Sequence, residues 1–130
     1  MPALTLSAVC AADLDELTAF ELGNRDFFES WINARPPEYY APGGVAASIQ
    51  LAQQDADQDR AHQYLVRQAG VLVARVNLTQ IKRQHYRSAS LGYRVGAGHN
   101  GRGIAKEAVR LTLLQAFSVL SLWRVEATCR

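Results

Sequence analysis

Residues 91–109, LGYRVGAGHNGRGIAKEAV, constrain the fold of this chain more than any other stretch. An alternating apolar run ends at Val95 and a glycine-rich turn follows. Ile104, Ala105, Ala108, Val109, Thr112, Ala116 and Leu120 then recur at helical spacing. A strand that feeds a glycine turn at a helix N-terminus builds an anion site from main chain alone. The first helical N–H groups have no partner within the helix, and the helix dipole adds partial positive charge there. Gly101 and Gly103 carry no Cβ, so an anionic oxygen approaches their backbone closely. The segment points to a phosphate-bearing ligand; on spacing alone, a loose turn leading into a capped helix stands equally well.

The remaining pattern sets the element order. Leu4, Leu6 and Ala8 alternate with Thr5, Ser7 and Val9 as a first strand. Asp13 reads as a helix cap, with Glu16 in capping-box position. Leu17, Phe20, Phe27, Phe28 and Trp31 form an apolar helical face, broken near Gly23-Asn24. RPPEYYAPGG, residues 35–44, reads as a loop, because its prolines block helix and its glycines permit turns. A second helix is expected from about Val45 to Asp57, closed by an acidic end. Three strands follow, 62–67, 71–81 and 86–95, with Gly70 at the first turn; in the middle one, Val71, Val73 and Arg75 alternate against Leu72, Ala74, Val76 and Leu78. Their short connections predict antiparallel pairing. The helix from 103 to 120 then leads to a last strand at 123–128, a parallel crossover. The order β-α-α-β-β-β-α-β predicts an α+β fold, a mixed and mostly antiparallel sheet flanked by helices. A doubly wound nucleotide fold alternates strand and helix from its start, and this order does not.

Composition excludes several classes. At 130 residues the chain is expected to form one domain with a real core. A net charge of +2, with Lys82 and Lys106 the only lysines, gives no footprint for nucleic acid. No apolar run approaches the ~20 residues of a membrane span, and no signal-peptide pattern opens the chain. Cys10 and Cys129 lack framework spacing and read as reduced thiols of a cytoplasmic protein. His62, His85 and His99 are far apart, so no metal site is expected.

The run Asn100-Gly101-Arg102-Gly103-Ile104-Ala105 resembles the Gln/Arg-x-x-Gly-x-Gly/Ala turn of the GNAT superfamily of acyl-CoA-dependent N-acetyltransferases, with Asn100 departing at the first position. Leu91 to Val95, Gly103 to Val109, Asn24-Arg25-Asp26-Phe27-Phe28 with Trp31, and Trp123 to Ala127 resemble the subgroup that acetylates ribosomal-protein N-termini, the RimJ/RimL-like enzymes. The similarity spans nearly the whole chain. Family members continue past the last strand found here with an asparagine-containing segment, a helix and two more strands. The resemblance therefore implies a single acyltransferase domain over 1–130 that is C-terminally incomplete. It also implies an open sheet edge that invites homodimerisation.

It further implies acetyl-CoA as co-substrate, without a metal, and a protein or peptide amine, such as a ribosomal protein, as acceptor. The pyrophosphate falls to Asn100, Gly101, Arg102, Gly103, Ile104 and Ala105, and the pantetheine arm to the strand edge at Tyr93, Arg94 and Val95. The Val95 N–H is the candidate donor that polarises the thioester carbonyl. Many relatives place a carboxylate where this chain has Ser90; Glu126 is the remaining carboxylate near the implied centre, a candidate general base beside its plain reading as a solvated strand residue. Asn24, Phe28 and Trp31 are candidates for acceptor contact, with capping and core packing as the alternatives. Arg75 and Asn77 are placed near the acceptor cleft. Tyr39 and Tyr40 read as loop anchors and His99 as a surface histidine. The rival class is a non-catalytic acyl-CoA-binding or interaction module; a weaker third is a nucleotide-binding domain.

Overall fold

A hairpin with an unusual turn organises the sheet. In the computed structural model, which describes residues 3–30, 35–84, 86–97 and 103–127, β2 (His62–Gln68) and β3 (Val71–Lys82) are joined by two residues, Ala69 and Gly70. Both have positive φ, 52° and 81°, the geometry that matches strand twist in a two-residue hairpin. β1 (Leu4–Ala8) pairs with β2, and β4 (Ser88–Val95) with β3, all antiparallel. β5 (Arg124–Ala127) pairs with β4 in parallel, so the sheet order is β1-β2-β3-β4-β5. The mixed sheet and the crossover follow the sequence reading.

Helices cover both faces. On one side lie α1 (Leu14–Gly23), α2 (Arg25–Glu29), α3 (Pro37–Tyr40) and α4 (Gly44–Asp57). On the other, α5 (Ile104–Ser118) buries Ile104, Ala108, Thr112 and Ala116. The α5 face packs against Tyr64, Val66, Ala74, Val76, Leu78 and Leu91. The opposite face packs Leu17, Phe20, Phe28, Val45, Ile49 and Ala52 against Leu65 and Leu72. No helix among the described residues is long and apolar enough to cross a membrane.

Three local expectations are corrected. Leu72 was grouped with Ala74, Val76 and Leu78, yet it packs on the α1 side, while those three pack under α5. The cause is a bulge: Val66 pairs with Ala74 and Arg67 with Leu72, so the extra residue Val73 reverses the faces. Residues 37–40 form a helical turn rather than a loop, because a proline at the first helical position loses no hydrogen bond. Asp13 does not cap α1 with Glu16 as its box partner. A 3₁₀ turn at Ala11–Asp13 begins earlier, the Asp13 carboxylate accepts the Cys10 N–H at 2.9 Å, and Glu16 is taken by Arg67 of β2. Burial raises the Asp13 pKa, but the Cys10 N–H and Arg67 outweigh it and hold the group below its ordinary value.

Candidate active site

The crossover from β4 to α5 is pinned by backbone and by one side chain. Gly96 donates its N–H to Val73 O at 2.9 Å. A Cβ at Gly96 would lie 3.2 Å from the Phe20 ring and 3.4 Å from that carbonyl, so the position is held small by close approach. Strand N–H groups alternate in direction. With Gly96 bonded to β3, Val95 and Tyr93 direct theirs to the opposite edge of β4. β5 pairs only with residues 88–91 of β4, so among the described residues Gly92 to Val95 have no neighbour on that edge. Tyr93 is 42% exposed there. Gly103 enters α5 in the left-handed region, φ 74°, and its carbonyl accepts the Glu107 N–H at 3.1 Å. The amides of Ile104, Ala105 and Lys106 have no acceptor within the helix. Ile104 anchors this end, 1% exposed in the α5 core, and Ala105 is half-buried. Asn100, Gly101, Arg102, Trp31 and His99 lie outside the described residues.

Asn24 sits at the break between α1 and α2 and uses both ends of its carboxamide. Its Nδ2 donates to Phe20 O at 2.8 Å, and its Oδ1 accepts the Ala97 N–H at 2.9 Å. It thereby ties the helix break to the start of the glycine turn. Phe28 is buried, with its ring 5.7 Å from Phe20 and 6.0 Å from Phe27. The Arg94 guanidinium lies over that ring at 5.1 Å. Glu126 is exposed and paired with Arg124 at 2.6 Å; Ser90, its register partner on β4, bonds Gln80 at 3.2 Å.

A polar cluster on the α1 face was missed at the level of sequence. Glu21 is fully buried, and its Oε1 accepts Arg75 Nη1 and, at 3.3 Å, Arg35 Nη2. Arg75, 4% exposed, also donates to Tyr39 Oη at 3.2 Å and to Gln63 Oε1 at 2.9 Å. Arg94 approaches Glu21 Oε2 no closer than 3.7 Å. Burial, then repulsion from Arg35, lowers the Arg94 pKa, with Glu21 opposing. Register explains the meeting, since Arg75 pairs with Leu65 on one side and with Arg94 on the other, which puts both arginines on the face beneath α1. The signal was present: Glu21 falls on the apolar stripe of its helix, and Arg75 interrupts an otherwise apolar strand.

An open groove of about 530 Å³ between α1 and α3–α4 is lined by Leu14, Thr18, Leu22, Tyr40, Pro42 and Val45, among others, and by nothing from the sheet or α5. It stands apart from the β4 edge. No group of three or more His, Cys, Asp or Glu among the described residues is placed to hold a metal.

The acetyltransferase (GNAT) domain profile matches residues 3–130. The probable N-acetyltransferase YjcK of Bacillus subtilis (strain 168) is 36% identical over 117 residues, 88% of this chain and 65% of that protein. The chain thus spans less than two thirds of that curated relative's length. Ribosomal-protein-S5-alanine acetyltransferase from Vibrio fischeri superposes with a TM-score of 0.88 at 19% identity, covering 98% of this chain and 70% of that one. RimJ of Mycobacterium smegmatis, solved with CoA-disulfide, also gives 0.88, at 23% identity over 98% of this chain and 62% of its own. At these identities the likeness is one of fold.

Proposed function

Given that the chain belongs to the GNAT acetyltransferase family, we propose that it binds acetyl-CoA and takes part in transfer of the acetyl group to a primary amine, a protein or peptide N-terminus in its finer form. The observation that carries this is the β4–α5 crossover. A strand edge with no neighbour among the described residues precedes, in the chain, a left-handed glycine at the mouth of a helix, within a span that the family profile covers from end to end. The parts suit the ligand: main-chain N–H groups of the α5 mouth for the pyrophosphate, and the outward N–H groups of Tyr93 and Val95 for the amide-bearing arm. The exposed, unpaired Cys10 thiol is in keeping with a reducing, cytoplasmic setting.

Acetyl-CoA supplies an activated thioester. The amine nitrogen, freed of its proton, attacks the carbonyl carbon; the C–N bond forms as the C–S bond breaks, and the sulfur leaves as thiolate to take up a proton. The Val95 N–H steadies charge developing on the carbonyl oxygen. Asn24 contributes by holding the glycine turn in register with α1 rather than by touching the acceptor. Glu126 is the carboxylate assigned to the departing amine proton, acting through water from its exposed position. Its pairing with Arg124, and a serine at position 90, favour a second reading in which this span binds acyl-CoA without turning it over.

Calorimetric titration with acetyl-CoA, against ATP and NAD as controls, tests the first step, and thiol release with peptides beginning in Ala or Ser tests the second. Selective acetyl-CoA binding with thiol release supports transfer. Binding without release from the natural full-length protein supports the second reading, and no binding overturns both. Gly103→Val is expected to abolish acetyl-CoA binding while costing only ~1–2 kcal/mol of stability, the strain of a β-branched residue in the left-handed region. Normal binding by that variant would displace the phosphate site from this turn.

A further inference from the structure

Among the described residues, the cluster beneath α1 holds one carboxylate and three guanidiniums. Glu21 faces Arg75, Arg35 and Arg94. Three other carboxylates on this side face other arginines: Asp13 and Glu16 pair with Arg67, and Glu29 with Arg25. Both terminal nitrogens of Arg75 are taken, by Glu21, Tyr39 and Gln63, and the side chain is buried. Arg94 is not so enclosed. Its closest carboxylate oxygen is 3.7 Å away, its flat contact is the Phe28 ring, and its side chain keeps 17% exposure, an opening for a ligand. Glu21 Oε2, although fully buried, has no hydrogen-bond donor among the described residues, so the Glu21–Arg94 contact is left loose on both sides. A guanidinium held among like charges in a desolvated setting is stabilised most by an anion that accepts both of its forked donors.

Arg94 immediately precedes Val95 and projects to the face opposite α5. The helix mouth that suits a pyrophosphate is on the α5 side, so the anion at Arg94 belongs to the other reactant. On this ground, and resting on the acetyl-transfer reading above, we propose that Arg94, with Arg35 beside it, binds a carboxylate of the acceptor, so that the protein prefers amines carried close to an acidic group. The Val95 N–H belongs to the peptide bond that joins it to Arg94, which restricts the carboxylate to the neighbourhood of the reacting nitrogen. An acidic residue at the first or second position of a peptide meets that condition, as does the carboxylate of a free amino acid. A polyamine does not.

The test is made on the natural full-length protein with matched acceptors: peptides with Asp or Glu against Asn or Gln at the first two positions, and free amino acids against their amides. We expect kcat/KM to favour the acidic member by about tenfold or more, carried mainly by KM. Whichever pair shows the larger ratio identifies the source of the carboxylate. Arg94→Gln should bring the ratio close to one, and Arg94→Lys should retain part of it. A ratio near one in the unaltered protein overturns the inference while leaving acetyl transfer standing. So does a ratio that persists in Arg94→Gln while calorimetry shows acetyl-CoA affinity lost, since the guanidinium then serves the co-substrate. Absence of both acetyl-CoA binding and transfer overturns the inference together with the reading beneath it.

Discussion

Among the described residues, Glu21 is the only carboxylate that three arginine side chains approach, and nothing on its oxygens reaches water. Removing one member of a buried charge set leaves the others desolvated and unmatched, which costs more than the intact set contributes. Glu21→Ala is therefore expected to lose ~3–5 kcal/mol in chemical denaturation. A loss under ~1 kcal/mol would mean that water already screens the cluster. Ala69 presents the reverse case. It is exposed, with φ 52°, at a turn position where alanine is strained and asparagine is at ease. Ala69→Asn creates the Asn-Gly pair that this hairpin geometry favours and should raise stability by ~0.5–1 kcal/mol. An unchanged denaturation midpoint would show that strain at 69 is relieved elsewhere.

Between elements, one ionic knot joins three of them. Asp59, in the turn between α4 and β2, accepts from Arg83, which follows β3, and lies 2.8 Å from His62; Arg83 also donates to Leu120 O beyond α5. The hydrogen bond from Arg83, helped by His62 and opposed by burial, lowers the Asp59 pKa. The unfolded chain titrates at about 3.9 and so takes up the proton first. The stabilisation is thus fully present above that value and is lost as pH falls through the lower folded pKa. The groups are about one-third exposed, so the effect is under ~1 kcal/mol. Asp59→Asn, which tolerates the same left-handed backbone, should be measurably less stable than the parent near neutral pH and equal to it well below the folded pKa. A gap of equal size at both ends would rule out the carboxylate charge as its source. This scale also shows where sequence reading ends. Alternation and helical spacing carried the order of strands and the β4–α5 crossover, because apolar side chains must face a core. They failed at Leu72, because a bulge inserts a residue without any compositional mark, and at residues 37–40, because two prolines suppress a helix except at its first turn. The buried pair of Glu21 and Arg75 was visible only as two charges out of place. Their meeting depends on register across β2, β3 and β4, which no local pattern encodes.

For the molecule as a whole, the sheet separates two interiors of different character. The face under α5 is apolar apart from Thr112 and the Tyr64 hydroxyl and holds no buried charge among the described residues, whereas the face under α1 and α4 pairs an apolar half with the arginine cluster. Strand β4 borders both, so under the proposed reading acetyl-CoA from one side and the acceptor from the other would meet at its outer edge near Val95. That edge, the short β5 beyond it and the outer side of α5 are thinly covered. Leu114 is 51% exposed, Phe117 47%, Val119 65% and Trp123 68%, with only Arg87 laid over the indole among the described residues. β5 is the last strand in the sheet order, so its far edge presents unpaired backbone groups among the described residues. Exposed apolar side chains beside an open strand edge favour association with a second surface. The 130-residue chain is accordingly expected to self-associate, with its sedimentation coefficient rising with concentration. Two variants separate the causes. Phe117→Glu removes apolar area from α5, and Val125→Pro removes a strand donor at the edge. If edge pairing drives association, the proline shifts the chain toward monomer more than the glutamate does; if the apolar patch drives it, the order reverses. A single monomeric species in the unaltered chain at high concentration would show that this edge and patch are already adequately shielded.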